Sequence, residues 1–212
     1  MIPAESAARA LSILRDPTHF KWYVIPLLLL VVYVYAQQVH ARRWPVVLGG
    51  LAFWCMDWIN EIWNSLLFHF TQYAPAWSAP GETAYLILIG LNIEICLMFA
   101  VMGVTSLLLL PANPKLRILG INNRLLFAAI NSALAVAVEY ALNACGALTW
   151  EYAYWNRGFP YLIFLIGYLP FFLVAYWVHD LPDTRRQVKA VAALGGIVIG
   201  SLLLFGGLLG WL

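Results

Sequence analysis

The sequence predicts an all-α, polytopic helical membrane protein with about six transmembrane helices in one bundle. Three observations predict it. The chain is 63% hydrophobic and 10% charged over 212 residues, whereas soluble domains are about 45–50% apolar and about 25% charged. Six apolar stretches each approach the roughly 20 residues needed to cross a bilayer. The basic residues gather on alternate connections, as cytoplasmic loops do.

The elements follow in order. Residues 1–21, "MIPAESAARALSILRDPTHFK", lack the apolar core of a cleavable signal and read as a short interfacial segment. Residues 22–212 form the transmembrane domain, with spans at 22–39, 44–70, 84–110, 122–146, 159–179 and 190–211. Breakers and charges separate them: "HARRW", "YAPAWSAPGET", "PANPKLR", "WNRGF" and "HDLPDTRRQVK". Alternating polarity is absent, which excludes barrel strands. No internal repeat and no low-complexity segment is evident. Arg42, Arg43, Lys115, Arg117, Arg124, Arg185, Arg186 and Lys189 fall on one side, eight of the twelve basic residues, so both termini are expected to face away from the cytoplasm. Arg9, Arg15 and Lys21 argue the other way. The expected location is a multi-pass one, the inner (cytoplasmic) membrane of a bacterium or the endoplasmic reticulum of a eukaryote.

Composition also excludes. A net charge of +2 is too small to suggest nucleic acid as a partner. Cys55, Cys96 and Cys145 have no paired spacing and suggest neither a disulfide framework nor a zinc site. The four histidines are scattered, so a bis-histidine haem and the desaturase clusters are not expected. Di-iron Glu-x-x-His pairs are absent, as are nucleophile-elbow and phosphate-loop motifs. No metal and no cofactor is expected. Gly196/Gly200 and Gly206/Gly210 in the sixth span have GxxxG spacing, the pattern of close helix packing. Packing within the chain is the first reading, and a homo-oligomer contact the second.

The informative residues are polar ones inside the spans. Carboxylates at the bilayer centre cost about 2.5–3.5 kcal/mol even on lenient scales, and such residues are functional candidates by default. Asp57, Glu61, Glu94 and Glu139 are four of them, with no Lys or Arg at their depth. They must be protonated, share protons, bind a cation or line a wet cavity. Asp57, Asn60, Glu61 and Asn64 follow i, i+3, i+4, i+7, one continuous helical face, with Trp54 and Trp58 beside it. Asn131, Glu139 and Asn143 share a sector of the fourth span. Asn92 and Glu94 point apart, and Glu94 is preferred as the cavity-facing one. The connection "GALTWEYAYWNRGFP" adds Trp150, Glu151, Tyr152 and Trp155 above the acids. The expectation is one polar pocket walled by aromatics, with Asp57, Glu61, Glu94 and Glu139 as acid–base groups and Trp54, Trp58, Asn60, Asn64, Asn92, Asn143, Trp150, Glu151, Tyr152 and Trp155 as its binding surface. A purely structural polar network is the plainer reading.

Acids facing aromatics in a dry cavity suit proton-initiated chemistry on an apolar molecule. A carboxyl donates a proton to an olefin, π faces and a carboxylate steady the cation, and a second base removes another proton. The substrate would be a membrane lipid or apolar small molecule of isoprenoid or sterol-like type. Here "MDWINEIWNSLLF" resembles the second helix of the emopamil-binding protein family, the sterol isomerases, and of the wider EXPERA group. The resemblance implies a proton-active Asp57, Glu61 and Trp63, with Glu94 in "NIEICLMFAVMG" as a further acid. This chain departs from that family in having Asp57 where it has His, in lacking a pocket Asn in "YLIFLIGYLPFFLVAYW", and in its sixth span. In design it is also similar to the small membrane-embedded terpene cyclases. The expected function is therefore an intramembrane isomerase or cyclase acting through a carbocation. The alternatives are a non-catalytic lipid-binding, transport or proton- or cation-conducting protein, or an accessory subunit of a larger membrane complex.

Overall fold

The computed structural model describes residues 2–212; Met1, the first residue of the predicted interfacial segment, lies outside them. Seven α-helices follow one another: α1 Glu5–Ile13, α2 Val24–His40, α3 Trp44–Thr71, α4 Ile93–Leu108, α5 Asn123–Ala144, α6 Leu169–His179 and α7 Thr184–Ser201. Two π-helical turns, Ile163–Tyr168 and Leu202–Leu208, lead into α6 and extend α7. Two short antiparallel hairpins complete the fold. They are β1 Leu86–Leu88 with β2 Leu91–Asn92, and β3 Arg117–Ile118 with β4 Ile121–Asn122.

Helices α2 to α7 run alternately up and down. At one end lie the start of α3 and the ends of α4 and α6: a Cβ on Gly49 would touch Leu107, Ala175 and His179. Arg124 and Gln187, at the starts of α5 and α7, bond to Asp180 and to the His179 carbonyl at this same end. At the other end, Tyr23 reaches Glu94, Asn64 holds the 76–77 backbone, and His69 stacks on Trp211. Two helical runs, Asn123–Ala144 and Thr184–Leu208, are long and apolar enough to cross a membrane.

Helix α3 is central and packs against α4, α6 and α7. Its fully buried Phe53 meets Phe172 at 4.8 Å, Phe171 at 5.7 Å and Phe99 at 5.9 Å between ring centroids. Small residues set the α3–α4 approach. A Cβ on Gly103 would sit 2.9 Å from the Gly50 carbonyl oxygen and 2.9 Å from Phe53 Cβ, so the two backbones meet as closely as small residues permit.

The structure revises or refines four expectations. The predicted span 84–110 is helical only from Ile93; residues 86–92 form the first hairpin. "LILIGLN" is too short before its glycine to sustain a helix, and Asn92 restarts the chain by accepting a 2.8 Å bond from Ile95 N–H, a standard N-cap. The fifth span is not one regular α-helix: a π-helical turn, Ile163–Tyr168, precedes Pro170 and α6. Helix α1, in the predicted interfacial segment, packs its Ala10 against Ala79 and against Leu86 and Ile89 of the first hairpin. Finally, a Cβ added to Gly196 or Gly200 would meet nothing within 4 Å, so the face they present does not serve packing inside the chain.

One regularity escaped the sequence reading. "LIGLN" at 88–92 and "ILGIN" at 118–122 each make a hairpin turn and end on an asparagine that caps the next helix. Asn122 accepts from Arg124 N–H at 2.8 Å, as Asn92 does from Ile95. The two units start at opposite ends of the bundle.

Candidate functional site

Helix geometry builds one cavity. On α4, Ile95, Met98, Phe99, Met102, Thr105, Ser106 and Leu109 face it, an i, i+3, i+4, i+7 stripe. On α5 the same pattern supplies Asn131, Leu134, Ala135, Val138, Glu139 and Leu142. Helix α3 contributes Asp57, Asn60 and Glu61, and the π turn and α6 add Gly167, Tyr168, Phe171 and Phe172. Trp77 and Leu148, from the connections, close one end. The volume is about 240 Å³.

Three of the four predicted acids meet here. Asp57, Glu61 and Glu139 are 2%, 4% and 6% exposed. Asp57 and Glu139 lie within electrostatic reach of Glu61. Glu61 Oε1 accepts a 2.9 Å hydrogen bond from Trp77 Nε1–H. Asp57 Oδ2, Glu61 Oε2 and Glu139 Oε2 are buried without a hydrogen-bond partner. The Tyr168 hydroxyl, on the buried π turn, comes within reach of Glu139. Among the described residues no Lys, Arg or His lines the cavity, and no cluster of side chains is arranged to hold a metal ion.

Glu94 is elsewhere. It sits in the first turn of α4, accepts from Thr83 Oγ1–H at 2.6 Å and from Ala84 N–H at 2.8 Å, and is bonded by the Tyr23 hydroxyl. It ties α2 and the 83–84 backbone to α4, and the cavity-facing expectation for it fails. Residue 94 falls at the edge of the α4 stripe, on the side of Met98 and Thr105, and borders a separate hollow against Leu27 and Leu30 of α2. Of its neighbours, Asn92 is spent on its cap.

The predicted binding residues divide in the same way. Asn60 lines the cavity. Asn64, one turn beyond Glu61, is wholly buried and holds the chain over the site: its amide donates to Trp77 O and its Oδ1 accepts from Ala76 N–H, both at 2.7 Å. Trp155 stacks on Trp77 at 5.2 Å, with Trp63 against both, so an indole stack roofs the acids. Trp54 bonds the Cys96 carbonyl, and Trp58 packs toward the Val198 side of α7. Asn143 donates to Leu148 O, Trp150 packs on Tyr140, Glu151 accepts from Ser6 and Tyr152 bonds the Ala74 carbonyl. The first two pack along α3, and the other four are framework for the end of the bundle.

Sequence reasoning missed Trp77, Tyr168 and Gly90. A Cβ on Gly90 would lie 2.5 Å from Asn64 Nδ2 and from Trp77 Nε1, and 2.7 Å from Glu61 Oε2. The turn of the first hairpin therefore presses bare backbone onto the acid cluster. The signal was present as a lone glycine in an apolar run, a mark of close backbone approach, but it read as part of a span.

A predominantly helical, apolar chain with two runs long enough to cross a membrane fits a membrane protein. The chain belongs to a family that matches residues 4–207 and is described as an uncharacterized membrane protein family. It is 56% identical over 213 residues to an uncharacterized protein of Archaeoglobus fulgidus, with all of both chains covered. A shorter protein of the same organism is 51% identical over 53 residues, 25% of this chain and 95% of that one. No solved structure matches it.

Proposed function

We propose that the protein is a multi-pass bundle of six membrane-spanning segments that isomerises or cyclises an isoprenoid-like lipid by intramembrane acid–base chemistry. The observation that supports this is the meeting of Asp57, Glu61 and Glu139, from α3 and α5, in one aromatic-walled cavity. Acids brought together from separate helices, each with an oxygen left without a partner, are a costly arrangement for mere packing.

The step balances without a cofactor. A carboxyl O–H, on Asp57 or Glu139, breaks toward its oxygen as the substrate π bond takes the proton and becomes a new C–H bond. The adjacent carbon carries the positive charge, faced by Phe99, Phe171, Tyr168 and Trp77. A carboxylate then takes a proton from a carbon next to the cation. The C–H electrons form the displaced double bond or follow ring closure. Glu61 is the better acceptor, because Trp77 N–H already orients one of its oxygens. Proton transfer among the three neighbours resets the site. The likeness of "MDWINEIWNSLLF" to sterol isomerases supports the Asp57/Glu61 pair and lends nothing to Glu94.

The test is deuterium uptake. Protein reconstituted in D₂O with its co-purified lipids, or with long-chain polyprenes, is expected to introduce non-exchangeable C–D bonds. Glu61→Gln and Glu139→Gln should abolish them while the fold persists. Equal deuterium content in wild type and both variants would remove the catalytic reading.

One observation favours a second reading, lipid transport. Inverted units flanking a central site are a transporter design, and the two hairpin–asparagine–helix units start at opposite ends and place α4 and α5 on either side of the cavity. Cavity occupancy without deuterium uptake would select it. The outward-facing Gly196/Gly200 row is offered as a homo-oligomer contact.

A further inference from the structure

We infer that the cavity takes a lipid with a neutral end group, admitted sideways between α4 and α5, and refuses one with an anionic head. This rests on the reading of the cavity as a lipid site, though not on catalysis.

The entrance follows from how the helices are supported. Helix α4 packs on α3 and α2, and α5 packs on α6 and its π turn, while α4 and α5 make little direct contact. Met98, Leu134 and Val138 line the cavity and are also 42%, 60% and 49% exposed on the outer surface. They are lips of a slot that joins the interior to the flank of the bundle. That flank is hydrocarbon-facing, because α5 is one of the two runs apolar and long enough to cross a membrane. A ligand that uses the slot arrives from the bilayer and never crosses water.

Shape and charge then select it. The α4 stripe from Ile95 to Leu109 is about 20 Å long at 1.5 Å per residue, so the cavity receives an extended chain. Its acid end holds Asp57, Glu61 and Glu139 and no cation. The basic side chain at the far end, Arg124, is already held by both oxygens of Asp180. A phosphate carried to the acids would be desolvated beside the Glu61 carboxylate with no cation to pair it, a penalty of several kcal/mol. A hydroxyl or olefin carries no such penalty, and a hydroxyl can donate to the unpartnered carboxyl oxygens.

The experiment is equilibrium binding to protein in nanodiscs of zwitterionic lipid. Tritiated geranylgeraniol is the probe, with geranylgeranyl monophosphate of the same chain as competitor. Saturable binding of the alcohol is expected, with the phosphate competing at least 100-fold more weakly. Leu134→Trp and Val138→Trp, made separately on the lips, should each slow association at least 10-fold with an unchanged unfolding temperature. Comparable competition by the phosphate overturns the charge selection. Unchanged association in both folded variants overturns the slot, and absence of saturable binding overturns both. If the alcohol binds as expected while deuterium uptake is absent, the catalytic reading fails and this one stands.

Discussion

The Trp77 indole N–H donates to Glu61 Oε1 at 2.9 Å, and the same Trp77 is held from above by the Trp155 ring at 5.2 Å. The roof of the cavity and the orientation of its central acid are therefore one structure. Trp77→Phe preserves most of the ring stack and removes only the donor. A hydrogen bond to a charged group contributes about 1.5–3 kcal/mol. The variant should lose stability of that order in detergent unfolding. Deuterium uptake should fall at least about tenfold, since one positioned proton-transfer group contributes about 10²–10⁴ in rate. Unchanged uptake in folded Trp77→Phe would show that Glu61 needs no orientation from this side.

Gly90 supplies a steric test of the same cluster. A methyl group at this position would enter the space of Asn64, Trp77 and Glu61 at 2.5–2.7 Å, and two of those contacts are locked by hydrogen bonds. Overpacking a well-filled site typically costs about 1–3 kcal/mol, so Gly90→Ala should lower the unfolding midpoint and disturb uptake together. Gly196→Ala, on an open helix face with nothing within 4 Å, should leave both unchanged or raise stability slightly through helix propensity. Equal behaviour of the two variants would contradict the close approach of the hairpin.

How much of this was legible in the sequence depends on the kind of signal. The i, i+3, i+4, i+7 face of α3 was readable because helical periodicity is a one-dimensional pattern, and Asp57, Asn60 and Glu61 do line the cavity. Asn64 continues the same face but is claimed by the 76–77 backbone, a partner twelve residues away that no helical wheel displays. Glu94 was misplaced because its helix starts at Ile93, not 84. With the hairpin read as helix, the residue looked mid-span instead of part of a first turn bonded to Thr83 and Ala84. Trp77 was hidden for a similar reason. It lies in "YAPAWSAPGET", a stretch that composition marks as a loop, and only the folded chain brings it over Glu61. The repeated "LIGLN" and "ILGIN" escaped because five residues are too few to stand out before the two hairpins are seen.

The separation of Glu94 from the other acids gives a prediction with opposite signs for two readouts. Glu94 accepts from Ala84 N–H, from Thr83 and from Tyr23. Glu94→Gln weakens the tie between α2 and α4 and should reduce stability while sparing deuterium uptake in the folded fraction. Glu139→Gln should do the reverse, removing uptake with little loss of stability, since the amide keeps an oxygen for the Tyr168 hydroxyl and Glu139 Oε2 has no partner. The check is to measure unfolding and uptake on the same preparations. Loss of uptake in folded Glu94→Gln, with stability intact, would return Glu94 to the chemistry.

At the opposite end of the bundle, Arg124 grips Asp180 with two bonds, Nε to Oδ2 at 2.7 Å and Nη2 to Oδ1 at 2.9 Å, and His179 Nδ1 adds a 2.8 Å contact. Partial burial pushes the Asp180 carboxyl up, but the hydrogen bonds and charges of Arg124 and His179 outweigh it and hold the group below its ordinary value. The sign follows from linkage. A carboxyl whose folded value lies below its unfolded value of about 3.9 contributes stability that is fully present above that unfolded value. The contribution is lost as the pH falls through the folded value. Asp180→Asn should therefore unfold at a lower temperature than wild type at pH 7, and the gap should close as both are acidified below about pH 3.9. The difference between the two proteins is the quantity to follow, because the other carboxyls titrate in both. A gap that stayed constant from pH 7 to pH 3 would mean that the pair contributes through shape and not through charge.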